Sequence, residues 1–245
     1  MHNEFRYDDQ SVRKNEWICR LVAKKVRLFF SVFREDGPMA CSQVTQLRFD
    51  PVEQEKWSPF RAYELLKCLC RENSPGIQDA EFWQRSLPGL IDVNTELFPL
   101  DVEERVLYCN RLGRECDNTR AELLFCDLGT GLATTKRMVE RANRRSPMHL
   151  YWDELRALFD GGKASLAVYQ HTRRQSWASI VNEYRMALGI RAYNLIHLKA
   201  GRARIIVVLK PNHLDRILHA CREIMKDFGR LKVFDQDGGL IRLAT

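Results

Sequence analysis

Two polar groups that close apolar runs are the residues of this chain best placed to do chemistry. Leu123-Leu124-Phe125-Cys126-Asp127 stops at an acid and continues as Leu128-Gly129-Thr130-Gly131. About forty residues later, Ala164-Ser165-Leu166-Ala167-Val168-Tyr169 ends in Gln170-His171. A carboxylate buried at a strand end needs a polar partner, and histidine changes charge near neutrality, so it can hold or move a proton. Arg173 and Arg174 follow His171 and present forked donors suited to phosphate, with Gln170 beside them. Lys136, Arg137, Arg141, Arg144 and Arg145 crowd ten residues that hold one acid, Glu140. That run reads as a solvated helix face or as a polyanion track. Asp153 and Glu154 are hard oxygen donors that could join Asp127 and His171 around a metal. The simpler alternative is that they complement the dipole of a helix's first turn.

The elements that must position these groups are clearest from Glu122 onward. A strand ends at Asp127, and a basic helical segment runs from about Thr134 to Arg145. Ser146-Pro147 restarts a helix that buries Trp152, Leu155, Leu158 and Phe159 and is closed by Gly161-Gly162. The strand Ala164 to Tyr169 follows, then a helix with Trp177, Ile180, Val181, Tyr184 and Leu188 on one face. Tyr193 to Leu198 and Arg204 to Leu209 read as a hairpin across Lys199-Ala200-Gly201-Arg202. Leu214, Ile217, Leu218, Cys221, Ile224, Met225 and Phe228 form a regular helix stripe. A last small hairpin joins Leu231–Phe234 to Leu240–Leu243.

The first hundred residues carry weaker patterns. Val26 to Phe33 and Val44 to Phe49 read as short strands around Asp36-Gly37-Pro38. Ser58-Pro59 starts a helix with Ala62, Leu65, Leu66, Leu69 and Cys70 on its apolar face. The stretch from Asn73 to Pro99 is mostly loop, and Asp101 with Glu104 caps a helix that ends at Gly113. Alternating strands and helices imply an α/β fold. The expected architecture is an open, mostly parallel sheet with helices on both faces and a C-terminal antiparallel hairpin. It forms one domain over residues 1–245, with a poorly patterned part over 1–100 and the α/β core over 101–245. Asp127 and His171 then lie at the carboxyl ends of consecutive parallel strands, where such sheets hold ligands.

Composition narrows the setting. With 45% hydrophobic and 29% charged residues, the 245-residue chain has the balance of a globular protein. Its 39 basic residues against 32 acids give a net charge of +7, which favours a polyanionic partner such as nucleic acid. No apolar run approaches the roughly 18 residues of a membrane span, and Met1 to Arg6 has no signal-type apolar core. A cytoplasmic protein without a membrane partner is expected. Among the eight cysteines, Cys68, Cys70, Cys126 and Cys221 fall on helix or strand patterns and read as buried thiols. No C-x-x-C pair is present, and Cys109 with Cys116 lacks partners at zinc-finger spacing, so a metal is not expected.

Asp127-Leu128-Gly129-Thr130-Gly131 resembles the D-x-G-x-G motif of Rossmann-type S-adenosylmethionine methyltransferases. The resemblance implies a methyltransferase-like fold, S-adenosylmethionine as cofactor, and close backbone approach to it at Gly129 and Gly131. In a second register, Asp127 ends the fourth strand, where amino-methylating members carry a D-P-P-type motif. Tyr169 then lies on the fifth strand, and the hairpin supplies the antiparallel sixth and seventh. The same part resembles uncharacterised bacterial proteins with D-P-D-x-G-L, W/Y-D-E and Y-Q-H-x-x-R segments. The matching residues are Asp127, Gly131, Leu132, Trp152, Asp153, Glu154, Tyr169, Gln170, His171 and Arg174, with Leu128-Gly129 in place of proline and acid. The leading expectation is a methyltransferase-like enzyme acting on nucleic acid or a nucleotide. Asp127 and His171 would be catalytic, while Gln170, Arg173, Arg174, Arg144 and Arg145 would contact substrate or phosphate. Two alternatives stay open. One is a metal-dependent phosphodiesterase or nuclease built from Asp127, His171 and Asp153 or Glu154; the other is a catalytically inactive nucleic-acid-binding or assembly protein.

Overall fold

Leu123 to Asp127 is apolar without alternation, the pattern of a strand covered on both faces, and all five residues are buried in the folded chain. A computed structural model describes residues 9–32, 64–65, 84–85, 87, 90–94, 96, 98–99, 101–127, 131–132, 149–171, 177–188, 194–200, 203–226, 230–234 and 240–241. The strands are β1 (Leu28–Val32), β2 (Leu90–Asn94), β3 (Leu123–Asp127), β4 (Gly131–Leu132), β5 (His149–Leu150), β6 (Ser165–His171), β7 (Asn194–Ala200), β8 (Ala203–Leu209), β9 (Arg230–Phe234) and β10 (Leu240–Ile241). The helices are α1 (Asp9–Ala23), α2 (Val102–Asn118), α3 (Trp152–Gly161), α4 (Trp177–Leu188) and α5 (Leu214–Lys226). Of the expected helix after Ser58-Pro59 only residues 64–65 are described, as helix. The expected strand at 44–49 and the basic segment 134–145 lie outside the described residues. So do Cys68, Cys70, Gly129, Arg144, Arg145, Arg173 and Arg174.

The main sheet has eight strands in the order β2-β1-β3-β6-β8-β7-β9-β10. It is parallel from β2 to β6 and antiparallel from β6 to β10. The protein is therefore mixed α/β, and the antiparallel part is larger than a terminal hairpin. The cause is the short β7–β8 connection, which returns β8 against β6 and leaves the other edge of β7 for β9. One face of the sheet, with Leu124, Cys126, Leu166, Val168, Leu195 and Ile206, shares a core with α2, α3 and α4. On the other face Trp17 of α1 packs over Phe125, with ring centroids 5.7 Å apart.

Three local expectations shift. A strand, β2, forms inside the stretch read as loop, because pairing with β1 gives Leu90 to Asn94 a ladder despite the surrounding prolines. Helix α2 starts as expected, with the Asp101 carboxylate accepting from the Glu103 and Glu104 amides. It runs through Gly113 to Asn118. Gly113 is there for close approach rather than as a cap: a Cβ on it would stand 3.0 Å from the Leu158 carbonyl oxygen and 3.1 Å from the Gly162 nitrogen. Helix α3 begins at Trp152 and not after Ser146-Pro147, since His149-Leu150 pairs with Gly131-Leu132 as a short parallel ladder.

Both α1 and α2 hand over to strands through a basic residue in the left-handed region, Lys25 at φ 61° and Arg120 at φ 58°. The next amides reach back to carbonyls five residues earlier, Val26 to Leu21 and Ala121 to Cys116. These joints, at the amino ends of β1 and β3, close the helices without glycine.

The α2–α3 contact also contains a fully buried ion pair. Arg105 Nε donates to Glu154 Oε1 at 2.8 Å and its second nitrogen donates to Oε2 at 3.0 Å. Both side chains are 0% exposed. The guanidinium stacks on Phe98 at 4.1 Å and donates to the His149 carbonyl, while Glu154 Oε2 accepts from the Tyr151 amide. Removing one partner strands a charge in the interior. Arg105→Ala is therefore expected to cost about 3–5 kcal/mol in urea unfolding, and Arg105→Met with Glu154→Leu to recover most of it. A loss under about 1 kcal/mol for the single variant would show that the pair does not hold the helices together.

Candidate functional site

The winding of the parallel half reverses beside Asp127. From β1 the chain passes to β2 on one side, then returns to β3 on the other, so β1 and β3 are neighbours. Ligands of open α/β sheets bind in the crevice at such a reversal, outside the carboxyl ends of the strands. Val32, the last residue of β1, pairs with Asp127, the last residue of β3. The next strand, β6, lies parallel to β3 and ends at His171. Asp127 and His171 thus close adjacent parallel strands at one edge of the sheet, as their spacing implied.

Asp127 is not a free carboxylate. Lys14 of α1 donates to both of its oxygens, at 2.9 and 2.7 Å, and each side chain is 9% exposed. The same ammonium lies 5.0 Å from the centre of the Tyr169 ring. Helix α1 therefore runs against the direction of β3, with Trp17 over Phe125 and Lys14 at the strand's carboxyl end. Asn15, the next residue on α1, is fully buried, and neither its amide nitrogen nor its oxygen has a hydrogen-bond partner.

Lys14 is the site residue the sequence reading missed, and a signal for it existed. Lys14, Trp17, Ile18 and Leu21 fall at i, i+3, i+4 and i+7, one helical stripe. A lysine on an apolar stripe marks a buried charge in need of an acid, although the spacing cannot say which acid.

Gln170 and Gly131 meet on the opposite side of β6. Gln170 is buried, and its Oε1 accepts from the Leu132 amide at 2.8 Å. Gly131 has φ +90°, and a Cβ on it would come within 2.6 Å of that oxygen and 2.9 Å of the Tyr169 carbonyl. The glycine is required by the chain's own packing. The side of Gly131 where a Cβ would stand is thus taken by Gln170 and Tyr169 of the chain itself.

The acids weighed as metal ligands are engaged elsewhere. Glu154 is held by Arg105, and exposed Asp153 accepts from the Glu154 amide. Among the described residues no group of three or more His, Cys, Asp or Glu is arranged to hold a metal. Cys126 and Cys221 are buried and unbridged, as their patterns implied, and so are Cys109 and Cys116. Burial pushes the thiols of Cys116 and Cys221 up to about 12 and raises those of Cys109 and Cys126. None of these four is a thiolate nucleophile at neutral pH. No helix among the described residues is long and apolar enough to cross a membrane.

Two outcomes follow from this geometry. Lys14→Met leaves Asp127 buried without its cation and is expected to cost about 3–5 kcal/mol. Lys14→Met with Asp127→Leu should cost markedly less than the sum of the single variants; additive losses in denaturant titrations would show the two groups uncoupled. Gly131→Ala, strained in φ and crowded by Gln170, is expected to lower stability by at least about 1–3 kcal/mol, and an unchanged melting temperature would contradict that packing. Set against known proteins, the chain matches no family model, no curated protein and no solved structure, so the site is read from its own geometry.

Proposed function

We propose that this protein is a methyltransferase-like α/β enzyme acting on a nucleic acid or nucleotide, with the reacting group held at the Asp127–Lys14 crevice. The observation that carries this reading is the position of Asp127, a carboxylate at the sheet's reversal point, fixed by a buried lysine. The β7–β8 hairpin packed on β6 supports the second register of the resemblance, in which an antiparallel pair follows the fifth strand. Asn15 adds an unsatisfied amide donor and acceptor next to Lys14, which suits a polar ligand.

The pair suggests a division of work. Asp127 can accept the N–H or O–H of a bound base or sugar and orient it. Lys14, donating to both oxygens, holds the carboxylate in one orientation. His171, at the end of the neighbouring strand, is the group the sequence suggests for receiving a proton.

A second reading, a nucleic-acid-binding or assembly protein without turnover, is favoured by a specific observation: Lys14 engages both oxygens of Asp127. Calorimetry with S-adenosylmethionine at low salt, followed by methyl transfer to mixed RNA and DNA, separates the two. The enzyme reading expects heat on cofactor addition and a transfer rate that drops about 10²–10⁴-fold in Asp127→Asn. No heat removes the cofactor, and equal transfer by both proteins removes Asp127 from the chemistry.

A further inference from the structure

The antiparallel half of the sheet carries cations with no acid to balance them. Strands β7, β8 and β9 read Asn-Leu-Ile-His-Leu-Lys-Ala, Ala-Arg-Ile-Ile-Val-Val-Leu and Arg-Leu-Lys-Val-Phe, without one Asp or Glu. Their register brings the basic residues together. Lys199 pairs with Arg204 across β7 and β8, and His197 pairs with Lys232 across β7 and β9. Cross-strand partners share a face, as do residues two apart on one strand. Lys199, Arg204, His197 and Lys232 therefore occupy one face in two adjacent rows.

Charge on this patch is fixed and of one sign. His197 is buried, and burial, helped by Arg204, Lys232 and Lys199, pulls its imidazole down to about 3, so it stays neutral near pH 7. Lys199 and Lys232 are exposed, Arg204 is partly buried, and none of the three is paired with an acid among the described residues. The Arg204 Nε is buried without a hydrogen-bond partner. Like charges facing each other across strands destabilise a sheet, and an unpartnered guanidinium nitrogen adds to that cost. An anion bound across the three would relieve both.

The row of Lys199 and Arg204 is level with the carboxyl end of β6, because Arg204 pairs with Gln170. It therefore lies at the same end of the strands as Asp127 but on the other face of the sheet, since Arg204 shares the face of Gln170 and Asp127 that of Tyr169. We propose that Lys199, Arg204 and Lys232 form a phosphate-binding track for the backbone of a single-stranded nucleic acid. The three positions are spread over β8, β7 and β9, a width of about 10 Å at the usual strand spacing. That width suits a run of backbone phosphates better than one phosphate group. The track stands apart from the Asp127–Lys14 crevice, and the binding does not rest on the function proposed above.

The test is fluorescence anisotropy of a short labelled single-stranded oligonucleotide with the full chain, titrated between about 50 and about 200 mM salt. Wild type is expected to bind with a steep salt dependence. Lys199→Gln with Lys232→Gln, both at exposed positions, should flatten the slope of log affinity against log salt by about 1.4, and adding Arg204→Gln should bring the change to about 2. Circular dichroism checks folding, and the double variant keeps the test valid if the triple one fails to fold. Wild-type protein that does not bind at low salt overturns the proposal, as does an unchanged slope in the double variant. Millimolar inorganic phosphate that displaces the oligonucleotide beyond its effect on ionic strength also overturns it, in favour of a free-phosphate site. Loss of the slope in Asp127→Asn would move the contact to the crevice and overturn it too. A chain that gives no heat with S-adenosylmethionine but shows the slope change loses the cofactor and keeps the track.

Discussion

A carboxylate at the end of a strand covered on both faces has to find a cation, and much of this structure follows from how Asp127 finds Lys14. Taking both charges out of water costs several kcal/mol per ion unless they meet in good geometry, and here the ammonium reaches both oxygens. That contact sets the axial position of α1. Its aromatic partner, Trp17 on Phe125, lies one helical turn away and sets the rotation. Ile18, Cys19 and Leu21 of α1 are buried by the same placement.

The two edges of the parallel half are treated differently. At the amino edge Glu122 accepts from the Arg27 amide and from Arg216 of α5, and Arg216 also reaches the Lys25 carbonyl. Ser165, at the start of β6, hydrogen-bonds to the Lys210 amide and lies by His213. These contacts tie α1, α5 and the strand starts into one closed end. At the carboxyl edge the groups are of another kind: a buried ion pair and, next to its lysine in α1, an asparagine amide without a hydrogen-bond partner. A rigid closed end and a chemically unsatisfied open end are what a ligand site on this architecture requires.

Charge is also divided between the halves of the sheet. The parallel half holds paired charges, Lys14 with Asp127 and, on the helices over the other face, Arg105 with Glu154. The antiparallel half holds Lys199, Arg204 and Lys232 with no acid on their strands. Part of the chain's net charge of +7 is thus concentrated where the sheet is least covered by opposing charge, and local concentration is what steers a polyanion.

The residues alone determined the α/β class, the strands ending at Asp127 and His171, the hairpin at Lys199 to Arg202 and the stripes of α4 and α5. Each of these is a local period or a local turn, and local patterns survive without knowledge of the fold. Lys14 and Arg105 are not among the residues singled out from the sequence, and Glu154 is singled out there only as a helix-dipole partner or metal ligand. Only the tertiary structure decided the partners. Lys14 and Asp127 are 113 positions apart and Arg105 and Glu154 are 49 apart, and no period connects such distances. The same holds for Gly113 and Gly131, whose composition suggested a cap and a cofactor turn. What requires glycine at each is a neighbouring backbone or side chain brought close by folding. Strand β2 likewise owes its form to pairing with β1 rather than to its own proline-flanked sequence, because a ladder supplies hydrogen bonds that intrinsic propensity does not.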